Sequence, residues 1–281
     1  MAIERMENFG KFVEEEKSPR YLYYQGYDKT PALSYDKVLA LSRGVVRVVG
    51  FYMGGLNYSS FDRGANNEAI SFTKEIREKY LSIPSIKLAY IYVGRTDQGD
   101  YPYLISANDP EAISKGVTDA QEAEKLAKNL NIPKDSVLYL DIEGGNRHEE
   151  AIVDYAERWV DTINNNTQYW AGIYCSYGKD DGVKLGSAKQ LYNGVNKQAN
   201  MYIARWYADS GECYIEATDE TYTTSYERPA LWYDLNPEKR APDAGCIVVQ
   251  YSGNVYINLN GVKTIVDQIS SLVPDPSVKQ F

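Results

Sequence analysis

Two acids carry the first chemical suggestion in this chain. Asp141 and Glu143 stand two residues apart at the close of an apolar run, in SVLYLDIEGG. If that run is a strand, positions i and i+2 share a face and both acids point the same way. Held side by side they cannot ionise independently, so one is driven toward the protonated form while the other stays a carboxylate. That division suits glycosidic cleavage, in which one acid protonates the leaving oxygen and another group stabilises or attacks the anomeric carbon. Gly144 and Gly145 follow at once and leave room for a bulky ligand. The plainer alternative is a strand end with ordinary solvated acids, one of them capping the next helix.

Other apolar runs close on similar equipment. Asp28 ends the first, Tyr52 with Gly54 and Gly55 the second, and Arg95 the third; Tyr174 with Ser176, Arg205 with Trp206, and Gln250 with Tyr251 end later ones. In a parallel barrel these positions share one mouth, where tyrosines, an amide, a tryptophan and acids would form a carbohydrate cleft. Arg95 and Arg205 read as ion-pair partners of the acids, and His148 as a surface or capping residue. The chain holds 26 Tyr against 6 Phe and 4 Trp. Amphipathic rings suit sugar binding, and they suit half-buried strand edges equally well.

Composition narrows the chemistry. A single histidine removes two-His zinc sites, and three cysteines without a CxxC suggest neither a disulfide framework nor a zinc site. No metal or organic cofactor is implied. A net charge of -9 argues against nucleic acid and anionic membrane surfaces. No run reaches the length of a membrane span, and MAIERMENFGKFVEEEK is too charged for a signal-peptide core. The expectation is a product cytoplasmic as synthesised, with release by lysis or a non-classical secretion route open.

The elements that must position these residues alternate between β-rich runs and segments of helical period. Strands are expected at 21–27, 45–53, 86–93, 136–143, 169–176, 199–206 and 246–252, with a weaker one at 229–234. Helices are expected at 34–43, 66–80, 118–130 (Thr118 as N-cap), 148–165, 184–194 and 262–272. Segment 207–244 reads as a long loop or an excursion beside the barrel. The organisation is a helical lead-in at 1–19, one domain at 20–272 and a mobile tail at 273–281. The fold class is α/β, a (β/α)8 TIM-type barrel with room for irregularity. A doubly wound sheet is the rival, but GYDKTPALS is not its Gly-rich phosphate loop.

The motif order QGYDKTPALSYDKVLAL, VVGFYMGG, IYVGR, TDAQEAEKLAKNLNIPKDSVLYLDIEGG, WAGIYCSYG, MYIARW and VVQYSGN resembles the glycoside-hydrolase-like TIM-barrel domain family related to family 25 lysozymes, over about residues 24 to 270. The resemblance implies Glu143 as general acid, Asp141 as stabilising carboxylate, Asp28 as a second carboxylate and Asp267, in KTIVDQI, as the late aspartate. It implies a peptidoglycan-like substrate lying on Tyr52, Tyr174, Trp206, Gln250 and Tyr251. The alternative is a catalytically silent glycan-binding barrel, a component or cargo of a phage-like particle or secretion machine.

Overall fold

The computed structural model describes residues 24–29, 32–43, 46–58, 72–143, 145, 147–178, 184–204, 214–217, 222–224, 243–259 and 262–281. The expected lead-in at 1–19 and the strand at 229–234 lie outside them. In chain order the elements are β1 (Tyr24–Asp28), α1 (Tyr35–Arg43), β2 (Val48–Gly54), α2 (Lys74–Leu81), β3 (Lys87–Val93), α3 (Ala112–Asn129), β4 (Val137–Ile142), α4 (Glu150–Asn166), β5 (Trp170–Ser176), α5 (Ser187–Gly194), β6 (Asn200–Ala204), β7 (Tyr214–Ala217), β8 (Tyr222–Thr224), β9 (Cys246–Leu259) and β10 (Val262–Ser271).

Residues 48–53, 88–93, 137–142, 171–175 and 200–203 are buried without a break. Strands covered on both faces need continuous apolar runs, which is why they stand out in the sequence. β1 to β6 are successive parallel neighbours, β9 lies parallel to β6, and β10 closes the ring between β9 and β1. The result is a closed eight-strand α/β barrel of TIM type, irregular in its last strand. No described helix is long and apolar enough to cross a membrane.

That last strand corrects the helix expected at 262–272. β10 runs antiparallel to both β9 and β1, from Val262 opposite Leu259 to Ser271 opposite Tyr24. Its pairing with β9 shifts register between Val266 and Ile269. The irregularity places two buried apolar residues three positions apart, a spacing that mimics a helix. Thr264, Ile265, Val266 and Ile269 are β-branched, as a strand prefers.

Helix α3 starts at Ala112, not Thr118. The Thr118 hydroxyl bonds back to the Ser114 carbonyl, while Asp109 accepts from the Glu111 N–H and pairs with Lys115 at 2.7 Å. Segment 207–244 contributes β7, paired parallel with the outer half of β9, and β8, paired antiparallel with β7.

Residues 273–281, expected as a mobile tail, are tied across the N-terminal end of the barrel. The Ser277 carbonyl accepts from the Val137 N–H, the Tyr139 hydroxyl donates to the Pro276 carbonyl at 2.6 Å, and Asn200 donates to the Val278 carbonyl. The Lys279 ammonium lies 3.5 Å from the centre of the Trp170 ring. Each net hydrogen bond is worth about 1 kcal/mol. Deleting residues 275–281 is therefore expected to lower Tm by a few degrees, read in a thermal melt.

Many of the tyrosines prove to be core. Inside the barrel the Tyr202 ring meets Tyr139 and Tyr174 edge to face, at 6.0 and 4.5 Å. Gly172 makes room for this stack, since a Cβ there would lie 2.5 Å from the Tyr139 ring. Between strands and helices, Tyr92, Tyr155 and Tyr169 are buried with their hydroxyls bonded to Glu122, Asp119 and the Ile132 carbonyl.

Candidate active site

Asp28 closes β1 at the C-terminal mouth, in register opposite Asp267 of β10. Its carboxylate is 1% exposed. Gln250 Nε2 lies 3.1 and 3.2 Å from its two oxygens, and the Tyr202 hydroxyl donates to Oδ2. The neighbouring position on β2 must be glycine, because a Cβ on Gly50 would sit 2.3 Å from that of Asp28. Burial and then the nearby Asp267 push the Asp28 carboxyl well above its ordinary pKa, against the two donors.

Asp141 is 4% exposed, and its Oδ1 has no hydrogen-bond partner among the described residues. An unpaired buried carboxylate is costly, so this group prefers its proton. Burial raises its pKa most, followed by Glu143 and Asp28. Glu143, just past the end of β4, is half-buried at the mouth. Its pKa is raised by burial, lowered by a hydrogen bond from Tyr174 and raised by Asp267. Both acids are thus lifted, each first of all by burial.

The expected site residues fall into three groups. Asp28, Asp141, Glu143 and Asp267 meet at the mouth, with Glu143 and Asp267 partly accessible. Tyr52, Tyr174 and Gln250 stand beside them but are buried, Tyr174 and Gln250 to 1% exposure. They form the floor beneath the acids. Trp206 and Arg205, and the side chain of Tyr251, lie outside the described residues. Arg95 pairs at 2.9 Å with Asp119 of α3, which also accepts from Tyr155, so it braces the helices and not the site acids.

Three features are not visible in the motif endings. Tyr202 sits two residues before the end of β6, on the inward face, where i/i+2 parity could have found it. Tyr101, in the β3–α3 loop, is half-buried; burial and the carboxyls of Glu143 and Asp141 push its hydroxyl up to about 12. His148 is not at the surface: it is buried against Asp97 at 2.9 Å.

A sequence model described as Rv2525c-like, glycoside hydrolase-like domain matches residues 40–254. An uncharacterized protein of B. stearothermophilus superposes with a TM-score of 0.54 at 18% identity, over 88% of this chain and 95% of its own. The spore cortex lytic enzyme SleM of Clostridium perfringens gives 0.53 at 13% identity, over 92% and 69%. The Tat-secreted protein Rv2525c of Mycobacterium tuberculosis gives 0.49 at 12%, over 89% and 95%. At such identities the first two likenesses establish a shared barrel. No curated protein sequence matches the chain.

Proposed function

Because the chain belongs to the Rv2525c-like, glycoside hydrolase-like domain family, we propose that it hydrolyses a cell-wall polysaccharide of the peptidoglycan type, with Glu143 as general acid. The observation that carries this reading is the meeting of Asp28, Asp141, Glu143 and Asp267 at one barrel mouth, with Glu143 left within reach of solvent. The substrate class is drawn from SleM, a spore cortex lytic enzyme built on the same barrel.

Glu143 delivers its proton to the leaving glycosidic oxygen. As the bond breaks, positive charge grows on the anomeric carbon and favours ionisation of any carboxyl beneath it. Asp141 is that carboxyl: its proton passes to the carboxylate that Glu143 has become, the developing cation supplies the partner its Oδ1 lacks, and water then adds to the anomeric carbon and gives up a proton to Asp141. Asp28, fixed by Gln250 and Tyr202, holds the floor rigid.

A silent glycan-binding barrel is the second reading, favoured by the depth of Asp28 and Asp141. Incubation with purified peptidoglycan and a panel of soluble glycans decides between them. New reducing ends from peptidoglycan are expected; binding without any release overturns the hydrolase reading.

A further inference from the structure

Between β4 and α4 the described residues, Glu143, Gly145 and 147–149, form a loop without regular structure. Side chains from two other elements hold its backbone. From the β3–α3 loop, the Thr96 hydroxyl donates to the Glu143 carbonyl, Gln98 donates to the Arg147 carbonyl, and Asp97 Oδ2 accepts from the Glu149 N–H at 2.8 Å. From α5, Ser187 donates to the Gly145 carbonyl, and Gln190 both accepts from the His148 N–H and donates to the His148 carbonyl, at 3.0 and 2.8 Å.

At the centre of this clamp lies one buried pair. The side chains of His148 and Asp97 are 0% and 1% exposed, with Nδ1 and Oδ1 2.9 Å apart. A carboxylate oxygen only accepts, so Nδ1 carries the proton. Asp97 thereby spends one oxygen on the ring and the other on the N–H of Glu149, the residue that precedes α4, where negative charge is favoured by the helix end. Nothing in the acid cluster touches the pair, so it does not take part in the chemistry directly.

We propose that Asp97 and His148 are positioning residues: their buried pair locks the β4–α4 loop onto the β3–α3 loop and so holds the Glu143 carboxyl in its half-buried place above Asp141. The inference rests on the reading of Glu143 as proton donor. A loop freed from this clamp lets Glu143 swing into water. Hydration removes the burial that raises its pKa, so its titration falls toward that of an ordinary glutamate. The titratable groups that interact with this carboxyl are Asp141 on β4, Asp28 on β1, Tyr52 on β2, Tyr101 on the β3–α3 loop, Tyr174 and Cys175 on β5 and Asp267 on β10. All of them stay in place in the variants below.

The test compares full-length wild type with His148→Leu, His148→Asn and Thr96→Val. Asparagine keeps a donor near the position of Nδ1, and valine keeps the shape of Thr96 while removing its bond to the Glu143 carbonyl and the longer one, 3.4 Å, that it accepts from the Gln98 N–H. Two readouts are taken: the Glu143 carboxyl titration by NMR with carboxyl-labelled glutamate, and kcat and KM for peptidoglycan across pH. In His148→Leu and Thr96→Val the Glu143 titration is expected to move down in pH. With it, kcat falls about tenfold or more, its alkaline limb moves to lower pH, and KM stays within about twofold. His148→Asn restores most of both. An unchanged Glu143 titration in Thr96→Val, or in a folded His148→Leu, overturns the positioning role. Absence of turnover in wild type overturns the hydrolase reading instead, and the NMR titration still judges the clamp.

Discussion

Glu143→Gln is expected to lower reducing-end release from peptidoglycan by about 100-fold or more, the usual worth of a general acid. Glutamine keeps the length and planarity of the side chain and can still bond to Tyr174, so glycan affinity should stay near that of wild type. What it loses is the acidic proton. A sugar leaving as an alkoxide needs that proton, whereas an activated aryl leaving group does not, so the deficit should shrink on aryl glycosides. The measurement is kcat for both substrate types with a binding titration alongside. Equal turnover by wild type and variant would remove Glu143 from the mechanism. The same substitution takes away one acid from a cluster that includes Asp28, Asp141 and Asp267, so the fold should be unharmed or slightly stabilised.

The parts of this molecule that announce themselves in the sequence are those governed by local periodicity. β2 to β6 are legible because burial on both faces demands unbroken apolar runs, and the DIE ending follows from strand parity alone. β10 is not legible, because its register shift disguises a strand as a helix. Tyr202 reaches Asp28 across 174 residues and Gln250 across 222, so their shared role exists only once the barrel has closed. The Asp97–His148 pair, 51 residues apart, is hidden for the same reason. A lone histidine beside GGNR reads as a surface residue until the β3–α3 loop folds over it. The tail is a further instance: VPDPSVKQF carries no periodic signal, yet its carbonyls complete the donors of Tyr139, Val137 and Asn200. The excess of tyrosine is ambiguous in composition. Packing resolves much of it, because rings with a bonded hydroxyl fill a barrel whose interior also carries carboxyls.

Stability is expected to peak in mildly acidic solution and to fall as pH rises toward 8, and Asp141→Asn to remove much of that fall. Asp28, Asp141 and Glu143 all have folded pKa values raised, first by burial, above those of an unfolded chain, where Asp and Glu titrate near about 4. The unfolded chain therefore gives up these protons at lower pH than the folded protein. Over that interval it binds fewer protons, so the free energy of unfolding falls as pH rises. The stability these acids lend is complete below their unfolded pKa and lost as pH climbs through the folded values. Groups of the opposite kind set the acid side of the peak. Asp109 is held low by its bond to Lys115, and Asp97 is held low by His148 and the Glu149 N–H against the effect of burial; protonating them destabilises the fold as pH drops. One pKa unit corresponds to about 1.4 kcal/mol. Buried acids are thus stronger levers than exposed ion pairs such as Lys74–Glu78, worth about 0–1 kcal/mol. Asparagine at position 141 keeps the shape and cannot ionise, so its Tm at pH 8 should exceed that of wild type by several degrees, with little difference at pH 4. Thermal melts of both proteins from pH 4 to 8 check this, and parallel Tm curves across the range would show that Asp141 is ionised in the folded state as readily as in the unfolded chain.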